Sequence, residues 1–238
     1  MSQNKAIWKI RDRYFSVKDH PYPVFERKIM DSVSANDTVL ELGCGRFGGL
    51  LATLKGKAKL LIGVDQCDCY FEDDSIYFVN NNIEKMTDIK NYSIDIIYSR
   101  SVMEHIQDTD AAYCEIYRVL KNNGVYIFLT PNIFDYLSII SFIVPNKFHA
   151  SIVKFLEGRE EHDTFPTYYR SNSRRRIYRL ANKYGLYVEE FLYLGQYPNY
   201  FLFNRFLFWL GCKYDYFLQK HPRLWFLRGW ILCTLRKT

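Results

Sequence analysis

No stretch of the 238 residues reaches the roughly 20 uninterrupted apolar residues that a membrane-spanning helix needs. Arg205 and Lys213 break the best candidate, so no span is expected. Between Met1 and Phe15 the apolar positions are interrupted by Lys5, Lys9, Arg11 and Arg13, which leaves no secretory core. Cysteine is sparse and scattered, and Cys67-x-Cys69 has the wrong spacing for a zinc knuckle. Reduced thiols, a cytoplasmic location and no metal are the corresponding expectations. Internal repeats and low-complexity linkers are missing too, and the length suits one α/β domain with insertions, so 1–238 reads as a single domain. What the chain has in excess is aromatics, at 18% of residues, with Tyr and Phe far ahead of Trp.

The most informative segment runs from Thr38 to Gly49. Thr38-Val39-Leu40-Glu41-Leu42 reads as a buried strand, and Gly43-Cys44-Gly45-Arg46-Phe47-Gly48-Gly49 as a turn into a helix starting near Phe47. Glycines there let the backbone bend sharply and approach a ligand, while the helix would point free N–H groups at the same place. A nucleotide-like ligand is expected. Gly43, Gly45 and Gly48 fit the dinucleotide pattern G-x-G-x-x-G, which alone is a weak match. Asp65 ends the next apolar run, where an acid would accept both ribose hydroxyls. These features suit NAD and S-adenosylmethionine equally. Glu41 separates them: negative charge beside the loop disfavours a pyrophosphate and favours a ligand with an ammonium and a sulfonium.

The first two-thirds resembles the class I S-adenosylmethionine-dependent methyltransferases, in particular the small-molecule group called type 11. The resemblance is carried, in family order from Val39 to Thr130, by Glu41-Leu42-Gly43-Cys44-Gly45, Val64-Asp65, Asn82-Ile83-Glu84-Lys85-Met86, the run from Asp95 to Ile106, and the run from Glu115 to Gly124. It implies that Glu41, Gly43, Cys44 and Gly45 line the methionine part of the donor and that Asp65 and Gln66 hold the ribose. Asn82 and Ile83 would flank the adenine, and the Ser99 backbone would lie near the amino group. Two departures stand out. Phe47 occupies a position where many relatives have glycine, and Asn82 one where they usually carry aspartate. An amide oxygen can accept the same bond without the strengthening of charge, so weaker donor affinity is expected.

Alternating strands and helices argue a doubly wound, mostly parallel sheet. Seven strands are expected, with Ser75 to Val79, Ile94 to Ser99 and Val125 to Thr130 following the first two. The helices are read at Asp110 to Leu120 and Ser173 to Lys183, the next strand at Tyr187 to Leu194, and Trp230 to Leu235 as an antiparallel closing strand. That leaves 131–170 and 198–228 as insertions forming a lid over the active site. The first holds His149, His162 and Phe165-Pro166-Thr167-Tyr168-Tyr169-Arg170, and the second is rich in Phe, Tyr and Trp. The aromatics read either as helical core or as a lipophilic wall for an acceptor.

Charge is uneven. From Arg170 onward thirteen Lys plus Arg face three acids, a balance of +10 within a chain of +6. Arg174-Arg175-Arg176 with Arg179 is the densest cluster. It reads as a solvated face, as a dock on an anionic membrane, or as contact with nucleic-acid phosphates. Nucleic acid is the least favoured partner and a peripheral contact at the inner membrane surface the most that is expected; oligomeric state is not legible.

Methyl transfer from a sulfonium is an in-line displacement that needs positioning and no metal. His105, at the mouth of the site, is the candidate general base, with Glu104 to orient it. His149, Tyr168, Tyr169 and Arg170 are candidate acceptor contacts. The expected reaction is methylation of a small-molecule hydroxyl, on a glycan, a glycolipid or another biosynthetic intermediate. An RNA methyltransferase, an NAD-dependent oxidoreductase and a degenerate binding module remain alternatives.

Overall fold

The computed structural model describes residues 2–46, 48–67, 75–136, 138–139 and 165–238. The chain divides into two compact units. One comprises Phe25–Thr130, Thr167–Leu192 and Ile231–Thr238; the other comprises Met1–Val24, Pro131–Pro166 and Tyr193–Trp230.

The sheet has seven strands: β1 (Thr38–Leu42), β2 (Leu60–Asp65), β3 (Ile76–Asn80), β4 (Ile94–Arg100), β5 (Leu120–Pro131), β6 (Leu186–Leu194) and β7 (Trp230–Lys237). Their order is β3-β2-β1-β4-β5-β7-β6. Strands β1 to β5 pair in parallel, and the C-terminal strands are antiparallel. The doubly wound sheet and its closing strand are thus as the alternation of elements implies. Four of the five β1 residues are buried, as a strand covered on both faces should be. Because β1 has β2 on one side and β4 on the other, the chain reverses direction of travel across the sheet at β1. Crevices at such reversals are where ligands bind in open α/β sheets.

Helix α1 (Ser2–Tyr14) precedes α2 (Pro21–Ser32), and α3 (Thr109–Val119) follows β4. Asp108 caps α3 by accepting from Ala111 N. The stop signal Lys121-Asn122-Asn123-Gly124 is not a loop after the helix. Leu120 already pairs with Ile94, and the next paired residues are Ile96 and Val125, so the intervening residues bulge from the start of β5. Asn123 takes φ 64° there, and a Cβ on Gly124 would sit 2.8 Å from the Lys121 carbonyl oxygen.

The expected helix after β1 is replaced by a short 3-10 turn at Leu51–Leu54. Gly48 (φ 74°), Gly49 (φ 44°) and Gly56 (φ 72°) all take left-handed conformations that no right-handed helix accommodates. The few residues between them are held instead by the buried Leu51 and Leu54.

In the other unit, α5 (Arg205–Lys220) packs a stripe of Phe208, Cys212 and their neighbours with Ile7 and Ile10 of α1. Asn204 caps it through Phe206 N and Leu207 N, and Gly211 lies so close to Pro198 that a Cβ would meet it at 2.7 Å. Helix α4 (Arg174–Lys183) belongs to the unit with the central strands.

Candidate active site

Strand register brings the candidate residues to one edge. Glu41 lies beside Gly63 and Tyr98, Leu42 beside Val64 and Ser99, and Asp65 beside Asn80. The chain leaves this edge through Gly43, Gln66, Asn81 and Ser101. Gly43 N donates to the Val64 carbonyl at 2.8 Å, which bends the chain back over β2. Gly43 (φ 69°) and Gly45 (φ 65°) are left-handed. A Cβ on Gly43 would lie 2.4 Å from Val102 Cγ2, whereas one on Gly45 would meet nothing within 4 Å. Gly43→Ala is therefore expected to destabilise the fold by about 1–3 kcal/mol from backbone strain and overpacking, readable as a lower urea midpoint. Gly45 faces open space, which is the close-approach surface the loop provides.

Asp65 pins this loop. Its Oδ2 accepts from Gly45 N at 2.8 Å and its Oδ1 from Cys67 N at 3.0 Å. Cys44 is buried, and its Sγ fills the space beside Gly63, where a Cβ would lie 2.7 Å away. Gln66 is exposed. Past β3, Asn82 is exposed and its Oδ1 already accepts from Glu84 N at 2.8 Å, closing a turn over the buried Ile83. Ser99 is buried with its hydroxyl 2.7 Å from the Tyr126 hydroxyl, so only its backbone faces the edge.

Glu41 is the electrostatic centre of the loop. It is buried, accepts from the Tyr98 hydroxyl at 3.0 Å and from Leu51 N at 3.2 Å. Leu51 N, which opens the 3-10 turn, is shared between this carboxyl and the Gly48 carbonyl at 3.0 Å. Burial pushes the Glu41 carboxyl up to about 7, against the opposing pull of the Tyr98 bond, the Leu51 N–H and the Arg100 charge. The native state therefore binds this proton more tightly than the unfolded chain. Its stabilising contribution is full below the ordinary carboxylate range and is lost as pH rises through about 7. Glu41→Gln is expected to flatten that part of the stability–pH curve, measured by urea unfolding between acid and alkaline pH.

A second cluster follows β4. Ser101 takes φ 56°, and Met103–His105 form one 3-10 turn that places Glu104 inward and leaves His105 half-buried. Glu104 Oε2 accepts from the Thr130 hydroxyl at 3.1 Å, and Thr130 Oγ1 accepts from Asn172 Nδ2 at 2.6 Å. Glu104 Oε1 lies 4.0 Å from His105 Nε2. Burial raises the Glu104 carboxyl, and the His105 charge and the Thr130 bond oppose the rise. The Glu104 carbonyl receives Tyr168 N at 2.7 Å and Tyr169 N at 3.1 Å. Arg170 donates to the Gln107 carbonyl and stacks over the Tyr168 ring at 5.5 Å.

Residues distant in sequence, Glu104 with His105 and Tyr168 with Arg170, are thus brought together. Tyr169 is different: it is buried, takes φ 51°, and its carbonyl accepts from Arg176 at 2.7 Å, so it secures the segment from Tyr168 to Arg170 and presents no ring to a ligand. Phe47, His149 and His162 lie outside the described residues. Sequence reasoning missed Tyr98, Thr130 and Asn172, whose roles depend on cross-strand register and on contacts over 26 and 42 residues of sequence. Among the described residues no cluster of His, Cys, Asp and Glu could hold a metal ion.

The left-handed glycines, the open face of Gly45 and an acid at the end of β2 fit S-adenosylmethionine. Residues 40–128 match a family model described as a methyltransferase domain. Over those residues the chain is similar to a methyltransferase domain, on a Rossmann-like methyltransferase fold.

Solved structures of methyltransferases agree on the fold. Geranyl diphosphate C-methyltransferase from Streptomyces coelicolor A3(2), in complex with S-adenosyl-L-homocysteine, is 16% identical, with 91% of this chain and 78% of that chain covered and a TM-score of 0.58. An S-adenosylmethionine dependent methyltransferase from Mesorhizobium loti is 14% identical over 91% of this chain and 97% of that one, with a TM-score of 0.56. Phosphoethanolamine N-methyltransferase 2 from Haemonchus contortus is 16% identical over 90% and 52%, with a TM-score of 0.56. No curated protein matches the chain.

Proposed function

We propose that this methyltransferase methylates a hydroxyl of a small-molecule acceptor, such as a glycan, a glycolipid or another biosynthetic intermediate. The observation that carries this reading is the pairing of His105 with the buried, hydrogen-bonded Glu104 beside Tyr168 and Arg170. Structural neighbours that take small phosphorylated substrates, geranyl diphosphate in one case and phosphomonomethylethanolamine in another, support a small acceptor.

The donor supplies a methyl group on a positively charged sulfur, which needs no further activation. Gly43, Cys44 and Gly45 line its methionine part, Asp65 and Gln66 take the ribose, Asn82 and Ile83 flank the adenine, and the Ser99 backbone meets the amino group. Glu41 places negative charge under the cationic end. His105 accepts the proton of the acceptor hydroxyl as the new O–C bond forms and the S–C bond breaks. Glu104 holds the imidazole and stabilises the imidazolium that results. Tyr168 and Arg170 grip the acceptor, with Tyr169 securing them.

A titration of Glu41 tests the donor side. A cationic ligand prefers the ionised carboxylate, so affinity for S-adenosylmethionine should fall towards about tenfold per pH unit below about 7. Calorimetry across that range should show the slope in the wild type and lose it in Glu41→Gln. An acceptor screen with S-adenosylmethionine, glycans and lipid-linked glycans first, tests the acceptor side; methylation confined to RNA would contradict the reading.

Arg174 stacks near the Tyr178 and Phe191 rings and Arg176 is committed to the Tyr169 carbonyl, which disfavours the arginine cluster as a phosphate-binding face. A cytoplasmic enzyme with a peripheral contact to the inner membrane surface belongs to the same reading, because it would meet lipid-linked acceptors there.

A further inference from the structure

Helix α5 carries two apolar stripes where an ordinary surface helix has one. Phe208, Gly211, Cys212, Asp215 and Leu218 are buried. On the opposite side, Phe206, Leu210, Lys213, Phe217 and Lys220 recur at alternating spacings of four and three, which aligns them along one face. Phe206 is 66% exposed, Leu210 51% and Phe217 48%, so this second stripe is not core. The bland reading of these aromatics as packing therefore fails for this face.

Beside the stripe lies a groove of about 480 Å³ between α1 and α5, lined by Lys9, Arg13, Arg205 and Trp209 with Ile10 and Tyr14. Tyr14 packs edge-on against Tyr216 of α5 at 5.5 Å and closes one wall. Lys213 lies 4.2 Å from the Trp209 ring and Lys220 5.3 Å from the Tyr216 ring. Their ammonium groups lie over aromatic rings, which holds positive charge at the border of the stripe. In sequence the two helices carry seven Lys plus Arg against Asp12 and Asp215, and Asp215 is buried.

We propose that this face of α1 and α5 docks on an anionic lipid bilayer, with Phe206, Leu210 and Phe217 entering the acyl boundary and Lys9, Arg13 and Arg205 meeting lipid phosphates. The proposal rests on the peripheral-contact reading above and gives it a surface. Charge complementarity selects the partner: the cations border the apolar stripe, and an interfacial helix needs both together. Nucleic acid would satisfy the cations yet leave Leu210 and the exposed Phe side chains without an apolar partner. Among the described residues no helix is long and apolar enough to cross a membrane, so the contact lies in the plane of the surface.

The test is flotation of the full chain with vesicles of phosphatidylcholine alone or with about one third phosphatidylglycerol. Binding should appear on the anionic vesicles, fall about fivefold for each of Lys9→Ala, Arg13→Ala and Arg205→Ala, and be lost in Phe206→Ser combined with Phe217→Ser. Circular dichroism and S-adenosylhomocysteine affinity should stay at wild-type values in every variant. Equal partition into both vesicle types would overturn the proposal, as would a lipid-free dimer by light scattering that Phe206→Ser dissociates. Anionic binding lost only on replacing Arg174, Arg175 and Arg176 would keep the peripheral contact and overturn this surface. Retention of single-stranded RNA, without vesicle binding, would assign the cations to nucleic acid and overturn both.

Discussion

His105→Ala is expected to lower turnover by about 10²- to 10⁴-fold, the range a positioned general base contributes, while leaving donor affinity at the wild-type value. The expectation follows from where His105 sits. It ends the 3-10 turn that leaves β4 at the ligand edge, and it is half-exposed while its neighbour Glu104 is 5% exposed. A carboxyl buried that deeply is costly unless it is hydrogen-bonded, and Thr130 and Asn172 form the chain that satisfies it. Glu104→Gln separates orientation from charge. The amide oxygen still accepts from Thr130, so the fold should hold and acceptor KM should change little, while kcat falls by less than in His105→Ala. Steady-state kinetics on the acceptor found by screening reads both variants. Wild-type turnover in His105→Ala would remove it from the mechanism.

Asp65→Ala should weaken donor binding by roughly tenfold to a hundredfold, because hydrogen bonds to a charged partner contribute about 1.5–3 kcal/mol. Two effects add here. The proposed contact of the carboxylate with the ribose is removed, and the loop loses the acceptor that ties Gly45 N and Cys67 N to the end of β2. The second effect should also lower global stability by about 1–3 kcal/mol, since each lost bond is worth about 0.5–1.5 kcal/mol. Asp65→Asn distinguishes the two: one acceptor oxygen remains, so stability should recover more than affinity. Calorimetry with S-adenosylhomocysteine and urea unfolding measure the pair. Unchanged affinity in Asp65→Ala would place the ribose elsewhere.

What the sequence made legible is the part of the site carried by backbone. Glycine positions, the strand-end acid and the alternation of elements are local signals, and the loop at Gly43 to Gly45 and the parallel sheet follow them. The missing helix after β1 shows the opposite case. Gly48 and Gly49 were legible as ligand-approach residues, but their left-handed φ values also end helix formation. The same ambiguity explains Lys121 to Gly124, whose turn chemistry appears as a bulge inside β5 instead of a loop before it. Side-chain assignments depended on register. Tyr98 meets Glu41 only because β1 and β4 align those residues, and Tyr169 is held inward because its N–H and that of Tyr168 both donate to the Glu104 carbonyl. No period in the sequence encodes either contact. The aromatic abundance, legible as composition, divided into the core around Phe208 and the exposed face around Phe206 only in three dimensions.

The most direct measurement is a calorimetric titration of the wild-type chain with S-adenosylhomocysteine, with NAD titrated in parallel. Micromolar binding of S-adenosylhomocysteine, abolished or strongly weakened in Asp65→Ala, and no binding of NAD is the result predicted by the donor site at Glu41, Gly45 and Asp65. Binding of NAD alone, or S-adenosylhomocysteine binding that Asp65→Ala leaves untouched, would contradict it.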